Sequence, residues 1–142
     1  MEKEKIKAIE HELFSYNLYL AKIKNMELDL KLKDYNTLRA VNTSEENFNA
    51  SFSIESLIER KIVKLEKEEE KLKGKIKYLK NKVKKIENCI ESFTEEEKEI
   101  FNARYIEEKT YKEICILNHM SIKKLLRIRR DIVNKCLELF SH

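Results

Sequence analysis

The residues best suited to chemistry in this sequence are the cations near its C-terminal end. Residues 121–135 carry six basic side chains and one acid, Asp131. Lys123 and Arg127 lie four positions apart, so on a helix both side chains point to the same side. Long cationic donors in that arrangement can bind phosphate oxygens and the O6 and N7 atoms of guanine. The spacing therefore favours binding to nucleic acid.

Groups that support catalysis or metal binding are scattered. The histidines form no HxxxH or HExxH pattern and the cysteines form no CxxC pair. The carboxylates at 95–97 lie in a run of charge where no burial would raise a pKa. We therefore expect no enzyme, no metal site and no cofactor, and we interpret the cysteines as small buried apolar residues. The residues concerned are His11, His119, His142, Cys89, Cys115 and Cys136.

The composition predicts an all-α fold. The 142 residues include no proline and a single glycine, Gly74, and the formal net charge is +4. A chain rich in Lys, Glu, Leu and Ile favours helices, whereas sandwiches, barrels and doubly wound sheets need frequent turn residues. The sequence has no export signal and no run of 18 apolar residues. We therefore expect a cytoplasmic protein without a membrane segment.

Residues 1–92 predict a helical hairpin or coiled coil. Apolar residues recur at helical spacing over about residues 4–34, whereas residues 35–53 lose the periodicity and predict a loop. Residues 54–92 carry a heptad pattern in which Glu69 fills the only polar position. This seam could pair in a parallel homodimer or pack against the first helix as an antiparallel hairpin, which we favour. The seam residues are Ile58, Ile62, Leu65, Leu72, Ile76, Leu79, Val83, Ile86 and Ile90.

Residues 93–142 predict a separate helix-turn-helix domain. Capping boxes at Thr94 and Thr110 open two helices, and Ser121 is the N-cap of a longer basic helix that ends near residue 140. A short helix, a tight turn and a longer helix form the helix-turn-helix plan. The residues that match its core spacing are Ile114, Cys115, Met120, Leu125 and Ile128, with His119 where glycine is usual and Asn118 where leucine is usual.

The same geometry defines a candidate DNA-binding face. Lys123 and Arg127 can reach guanine, and Ile122 and Leu126 can contact thymine methyl groups. Lys124 and Arg129 flank this face and suit phosphates, as do the N-terminal groups of the short helix. The predicted DNA-binding residues are Thr110, Lys112, Ser121, Ile122, Lys123, Lys124, Leu126, Arg127, Arg129 and Arg130. The lysine-rich block 71–85 is expected to be a solvated surface of the coiled coil.

Residues 95–140, EEEKEIFNARYIEEKTYKEICILNHMSIKKLLRIRRDIVNKCLELF, resemble region 4 of bacterial sigma factors. The shared pattern is an acidic run, "ARY" ending a helix, "TYKEI", and a recognition helix opened by serine. With the charged helices ahead of it, the chain is similar to small phage activators of late genes of the ArpU/RinA type. The resemblance implies recognition of promoter DNA and contact with RNA polymerase.

The sequence thus predicts a phage-type transcription regulator that binds double-stranded DNA as a homo-oligomer, in the simplest case a dimer. One alternative is a DNA-packaging subunit of the small-terminase kind, although those subunits usually place the DNA-binding motif first and here it is last. A second alternative is a purely structural coiled-coil protein. A free-standing sigma factor is disfavoured because no aromatic-rich melting region precedes residue 93.

Overall fold

Helices make up nearly all of the described chain. The computed structural model describes residues 2–46 and 52–140, apart from the side chains of 37, 40–46 and 52–54. Within these ranges the prediction of an all-α fold is confirmed, and no helix is both long and apolar enough to cross a membrane. The helices are α1 (Glu2–Phe14), α2 (Tyr16–Glu46), α3 (Phe52–Glu91), α4 (Glu95–Phe101), α5 (Tyr111–Asn118) and α6 (Ile122–Phe140), with a π-helical turn, Asn102–Ile106, after α4.

The first predicted helix is divided at Ser15. The Ser15 hydroxyl donates to the carbonyl of His11 at 2.7 Å, and the Ser15 backbone N–H is shared between the carbonyls of His11 and Glu12. A serine that bonds back to the carbonyl four residues earlier competes with the regular helical ladder and bends it. The apolar periodicity continues across this point, so the spacing of apolar residues does not indicate the break.

The predicted loop at 35–53 is wrong over most of its length. Helix α2 continues through Glu46 and α3 begins at Phe52, and residues 47–51 lie outside the described residues. The segment contains no proline or glycine. Its Asn, Ser and Thr residues each cost a helix only about 0.7 kcal/mol or less, which is too little to end one.

The structure divides into two compact units, the first formed by residues 1–20 and 81–142 and the second by residues 21–80. In the second unit, Lys33 pairs with Glu68 at 2.9 Å and Glu27 pairs with Lys80 at 3.0 Å. The higher number on α2 goes with the lower number on α3, so the two helices run antiparallel there. Among the described side chains of this unit, those buried are Ile23, Ile76 and Leu79.

The predicted seam of α3 faces inward, although to different degrees. Each of its apolar residues is buried or half-buried, and Leu79 lies in the core as predicted. The heptad pattern predicts a core position for Leu72 as well, but this residue is only half-buried. In a two-helix layer each helix is covered on one side only. The seam residues that precede Ile76 therefore retain partial contact with solvent.

The first unit has a core built from both ends of the chain. Helix α6 contacts α4, α1 and α5, so α1 belongs to the same compact unit as the C-terminal helices. The predicted domain boundary after residue 92 stays a prediction. In the structure, α1 lies in the same compact unit as the helices that follow residue 92. The largest fully buried side chains here are Leu13, Ile86, Tyr105, Ile114, Leu125, Ile132 and Val133, together with the thiols of Cys89 and Cys136.

A π-helical turn changes which residues face this core. Regular α-helical spacing predicts that Ile100, Ala103 and Ile106 face inward, whereas the structure buries Ile100, Phe101 and Tyr105 and leaves Ala103 and Ile106 half-buried. The Glu107 backbone N–H donates to the carbonyl of Asn102, five residues earlier, at 2.9 Å. Each π-turn holds more residues than an α-turn, so the inward face shifts along the sequence.

Candidate nucleic-acid interface

Local sequence signals set the geometry of the α5–α6 segment. The Thr110 hydroxyl accepts the backbone N–H of Glu113 at 3.2 Å and begins α5. After Asn118 the chain turns at His119, which has φ 50° and ψ 46°. The Ser121 hydroxyl accepts the backbone N–H of Lys124 at 3.2 Å and begins α6. The predicted N-caps Thr110 and Ser121 are therefore both present.

Helices α5 and α6 pack through the residues that the spacing singled out. Ile114, Leu125 and Ile128 are buried, whereas Met120 and Cys115 are half-buried. Burial of Leu125 and Ile128 fixes the rotation of α6 about its own axis. The residues on the opposite side of the helical wheel must therefore face outward.

Most of the predicted DNA-binding residues lie together on that outward face. Ile122 and Leu126 are large apolar side chains that remain 51% and 42% exposed. Arg129 is the exception on α6, because it is half-buried. The exposed members of the predicted set are Thr110, Lys112, Ser121, Ile122, Lys123, Lys124, Leu126, Arg127 and Arg130, of which the first two lie at the start of α5.

Acidic residues from other helices engage the two flanks of α6. On one flank, Lys124 pairs with Glu96 at 3.3 Å and Lys135 pairs with Glu97, and both acids belong to α4. On the other flank, Arg129 pairs with Glu10 of α1. These contacts connect α6 to α4 at two points and to α1 at a third.

The buried carboxylate of Glu97 serves two helices at once. It accepts the backbone N–H of Thr94 at 2.8 Å, which completes the predicted capping box of α4, and it binds the ammonium of Lys135. Burial disfavours its charged form, but the Lys135 ammonium and the Thr94 hydrogen bonds outweigh that effect and hold the pKa of Glu97 below its ordinary value.

The centre of the exposed face keeps its cations unengaged. Within the described residues, no ion pair or side-chain hydrogen bond involves Lys123, Arg127 or Arg130. These three residues follow steps of four and three along α6, so they form one row between the two paired flanks. The row presents three positive charges, with Ile122 and Leu126 beside it.

A shallow groove runs along the same face. It has a volume of about 670 Å³, and its lining includes the row Lys123, Arg127 and Arg130 together with Leu126 and, from α1, Ile6. Five cationic side chains of α6 contribute to its walls. A concave surface of this charge fits a polyanion better than a neutral or cationic ligand.

Helix α1 was not expected at this site. The Glu10 carboxylate accepts hydrogen bonds from Arg129 Nε and from the Tyr105 hydroxyl, each at 3.1 Å. The hydrogen bond with Glu10, and then the Glu10 charge, raise the pKa of Arg129, whereas burial followed by the Glu10 charge raises the pKa of Tyr105. The apolar stripe of α1 showed that one face is buried, but periodicity does not reveal what covers that face.

Arg104 forms a second connection between α1 and the C-terminal helices. Its guanidinium lies 5.3 Å from the centre of the Phe14 ring and 4.2 Å from that of Tyr111, and it donates to the carbonyl of Lys109 at 2.8 Å. Phe14 also meets Tyr105 edge to face at 4.8 Å. Two residues of the "ARY" motif, Arg104 and Tyr105, therefore serve packing.

The side chains that usually bind metal ions in proteins do not form a cluster of three in the described residues. Throughout residues 2–46 and 52–140, no three His, Cys, Asp or Glu side chains are grouped closely enough to hold a metal ion. The Cys89 and Cys136 thiols are buried and free, and Cys115 is free and half-buried.

Comparison with known proteins identifies the family. A family model described as "Protein of unknown function (DUF722)" matches residues 15–138. The chain belongs to the DUF722 family. The matched region of this DUF722 protein contains α2 to α5 and all but the end of α6, and it begins directly after α1. Searches of curated proteins and of solved structures found no match.

Proposed function

We propose that this protein is a sequence-specific regulator of transcription that binds double-stranded DNA through α6. Helix α5, the turn at His119 and α6 would form a helix-turn-helix, carried by the antiparallel helical hairpin of α2 and α3. In keeping with the sigma-region-4 resemblance, the proposed role is a phage or prophage activator of late genes. RNA polymerase is the proposed protein partner, the assembly a homodimer, and the location the cytoplasm.

The unengaged row on α6 carries this proposal. Lys123 and Arg127 lie one turn apart, about 6 Å along the helix axis, so both can enter one major groove. Arg127 can donate two bonds to the O6 and N7 atoms of one guanine, and Lys123 can donate to a neighbouring base. Arg130 continues the row towards the phosphate backbone. Ile122 and Leu126 supply the apolar contacts that distinguish thymine.

The surroundings of the row suit a helix that enters a groove with its N-terminal turns. Helix α1 contacts the later part of α6: Glu10 meets Arg129, and Ile9 lines a groove with Leu137 and Phe140. The outward face of the first two turns of α6 remains exposed to solvent. The backbone N–H groups that begin α5, with Thr110 and Lys112 beside them, suit phosphate contacts that fix the register.

The structure alters the roles that we propose for two cations. Arg129 was predicted to bind phosphate, but its guanidinium is engaged by Glu10 inside the first unit. We therefore assign it a packing role. Lys124 remains a phosphate contact, and it must exchange Glu96 for DNA when it binds. Sequence reading then rests on Lys123 and Arg127.

The test begins with the purified full chain and a library of duplexes that share a randomised segment. Wild-type protein should enrich a defined sequence, and Arg127→Ala should bind the enriched duplex about 5- to 150-fold more weakly, as expected for one lost bidentate base contact. Its affinity for random duplex should fall much less. Lys67→Ala, which removes an exposed cation of α3, is the matched control and should affect both duplexes little.

Two results would contradict the proposal. If wild-type protein enriches no sequence, a purely structural role for the helices is favoured. If Arg127→Ala weakens both duplexes equally, Arg127 contacts the backbone and does not read bases. Each affinity is measured over a range of salt concentrations, because phosphate contacts alone set the slope of affinity against salt.

A further inference from the structure

The two flanks of α6 differ in the cations that they can offer to a DNA backbone. A helix in the major groove lies between two phosphate backbones, and contacts to both fix its position. On one flank, Lys124 can bind a phosphate once it leaves Glu96. On the other flank, the guanidinium of Arg129 is engaged by Glu10 of α1. Of the α6 cations on that flank, Arg130 alone is then left for the backbone.

Helix α1 borders the flank on which Arg129 is engaged. Its Ile6 lines the cationic groove of α6, and both Ile6 and Arg130 also line a second groove of about 810 Å³. The two grooves therefore adjoin at Ile6 and Arg130. The lining of the second groove includes Lys5, which directly precedes Ile6 on α1. Lys5 and Arg130 thus lie along one groove, although they come from opposite ends of the chain.

The ammonium of Lys5 is available to a ligand. The residue is exposed, and throughout residues 2–46 and 52–140 no ion pair or side-chain hydrogen bond involves it. A lysine carries its charge on a flexible four-carbon stem, so the ammonium can extend beyond the rim of the groove. Lys5 differs in this respect from Arg129, whose guanidinium is held by a carboxylate of the same helix α1.

The distribution of charge along the two grooves restricts a polyanion to one end. Among the described side chains, those that line the first groove include five cations and no acid. The second groove is lined by two cations, Lys5 and Arg130, and by two acids, Glu2 and Glu138. Glu138 lies about two helical turns, or roughly 12 Å, beyond Arg130 on α6. A phosphate backbone is therefore attracted to the end at which the grooves adjoin and repelled from the end at Glu138.

We propose that Lys5 binds a phosphate of the DNA backbone, so that α1 is part of the DNA interface. Lys5 and Arg130 then contact one strand beside α6, and Lys124 contacts the other. The pair formed by Glu10 and Arg129 positions α1 for this contact. The inference rests on the proposed DNA binding, and it extends that interface to a helix that precedes the region matched by the family model.

The test is a salt titration of the affinity of the full chain for the enriched and the random duplex. Lys5→Ala should weaken both complexes by the same factor, about 5-fold at about 0.15 M salt, and should lower the slope of log affinity against log salt by about one contact. Lys5→Arg should retain both affinity and slope. The matched control is Lys7→Ala, which removes an equal charge from an exposed position of α1 that lines neither groove and should leave the slope unchanged.

Neutral methylphosphonate linkages locate the contact on the DNA. Such linkages are placed one at a time along the enriched duplex, and the affinity of each is compared between wild-type protein and Lys5→Ala. At one position the linkage should weaken binding of the wild type but not of Lys5→Ala, because the variant has already lost that contact. A different position, on the other strand, should behave in this way for Lys124→Ala.

The results separate this inference from the proposed sequence-specific function. An unchanged slope for Lys5→Ala, or an equal fall for Lys7→Ala, would overturn the contact and would leave the sequence reading by Arg127 intact. If the wild type enriches no sequence, a lower slope for Lys5→Ala on random duplex would still support the contact. A chain that binds no duplex at all would overturn both. Equal urea midpoints for wild type, Lys5→Ala and Lys7→Ala are expected, because both side chains are exposed.

Discussion

The carboxylate of Glu10 joins the first helix of the chain to its last helix, because it binds the guanidinium of Arg129 and the hydroxyl of Tyr105 together. The two partners lie 119 and 95 residues away in the sequence. Glu10 and Arg129 are both largely withdrawn from solvent, with side-chain exposures of 12% and 32%. A charge in that environment is stable only when its partner is present.

The first prediction concerns this pair. Glu10→Gln keeps the shape of the side chain but removes the charge, so Arg129 loses its counter-ion in a part-buried site. We expect the free energy of unfolding to fall by about 1–2 kcal/mol. This is less than for a fully buried ion pair, because the Arg129 side chain remains partly exposed to solvent. Urea unfolding followed by circular dichroism measures it. Glu4→Gln, on an exposed position of the same helix, should change the midpoint little, and equal effects of the two substitutions would contradict the prediction.

The sequence predicted the parts of the site that depend on local spacing. Leu125 and Ile128 are buried, so the positions of Lys123 and Arg127 on the exposed side of α6 follow from a period of 3.6 residues. Thr110 and Ser121 are caps whose hydroxyls bind N–H groups only three residues away. Such contacts involve neighbours in the sequence, and a pattern of residue types is sufficient to indicate them.

The parts that escaped prediction depend on distant contacts or on small energies. Arg129 was assigned to phosphate because its helical angle alone cannot reveal Glu10, which approaches from the other end of the chain. Tyr105 is buried because the π-turn shifts the inward face of the helix, and such a turn has no clear sequence signal. The loop expected from residue 35 is a helix at least to Glu46, because polar residues without proline or glycine weaken a helix only slightly.

The second prediction compares two leucines of the α3 seam. Leu79 is buried, and Leu79→Ala should lower the free energy of unfolding by about 2–3 kcal/mol, the lower part of the range for leucine. Leu72 is half-buried, so Leu72→Ala should cost about half as much. Thermal or urea unfolding of the two variants measures the difference. Equal losses would mean that Leu72 is as well packed in solution as Leu79.

The third prediction concerns the polar position of the seam, Glu69. A hydrogen bond with Asp34, followed by burial and the Asp34 charge, raises the pKa of Glu69 above its ordinary value. A carboxyl whose pKa is raised by folding stabilises the folded state most at low pH, and that contribution is lost as the pH rises through the raised pKa. At neutral pH the two carboxylates repel each other, so Glu69→Gln should raise the urea midpoint at pH 7.

This gain should disappear as the pH is lowered towards 4, where wild-type Glu69 becomes protonated and donates to Asp34. Glu69→Ile should likewise stabilise the protein at pH 7, because it completes the apolar seam. Urea midpoints measured between pH 4 and pH 7 give both results. A gain for Glu69→Gln that does not depend on pH, or a strongly destabilised Glu69→Ile protein, would show that Glu69 does not occupy the seam opposite Asp34.

The fourth prediction uses the backbone at His119. Its φ of 50° is in the left-handed region, which costs a residue with a Cβ about 1 kcal/mol or more relative to glycine. His119→Gly should therefore raise the free energy of unfolding by up to about 1 kcal/mol. The greater conformational entropy of glycine in the unfolded chain offsets part of this gain. His119→Val should lower it. If His119→Gly is destabilising, the imidazole makes stabilising contacts that outweigh the strain.

The last prediction concerns the pair formed by Lys124 and Glu96, 3.3 Å apart with both side chains about half exposed. An ion pair in that setting contributes about 0.2–1 kcal/mol, so Glu96→Gln should leave the unfolding midpoint nearly unchanged. On DNA the effect should be larger, because Lys124 no longer has to leave a carboxylate before it binds a phosphate. We expect tighter binding to the enriched and the random duplex alike, by a similar factor.

A matched substitution separates this local release from a general gain of positive charge. Glu95→Gln makes the same charge change on the same turn of α4, but Glu95 pairs with Lys98 and not with a cation of α6. Glu96→Gln should tighten binding more than Glu95→Gln does, and neither should change the slope of log affinity against log salt, because Lys124 contacts a phosphate in the wild-type complex as well. Adding Lys124→Ala to Glu96→Gln should remove the gain in affinity and lower the slope by about one phosphate contact. If both single variants raise affinity equally and Lys124→Ala leaves the slope unchanged, Glu96 acts only through the overall field, and Lys124 does not contact the DNA backbone.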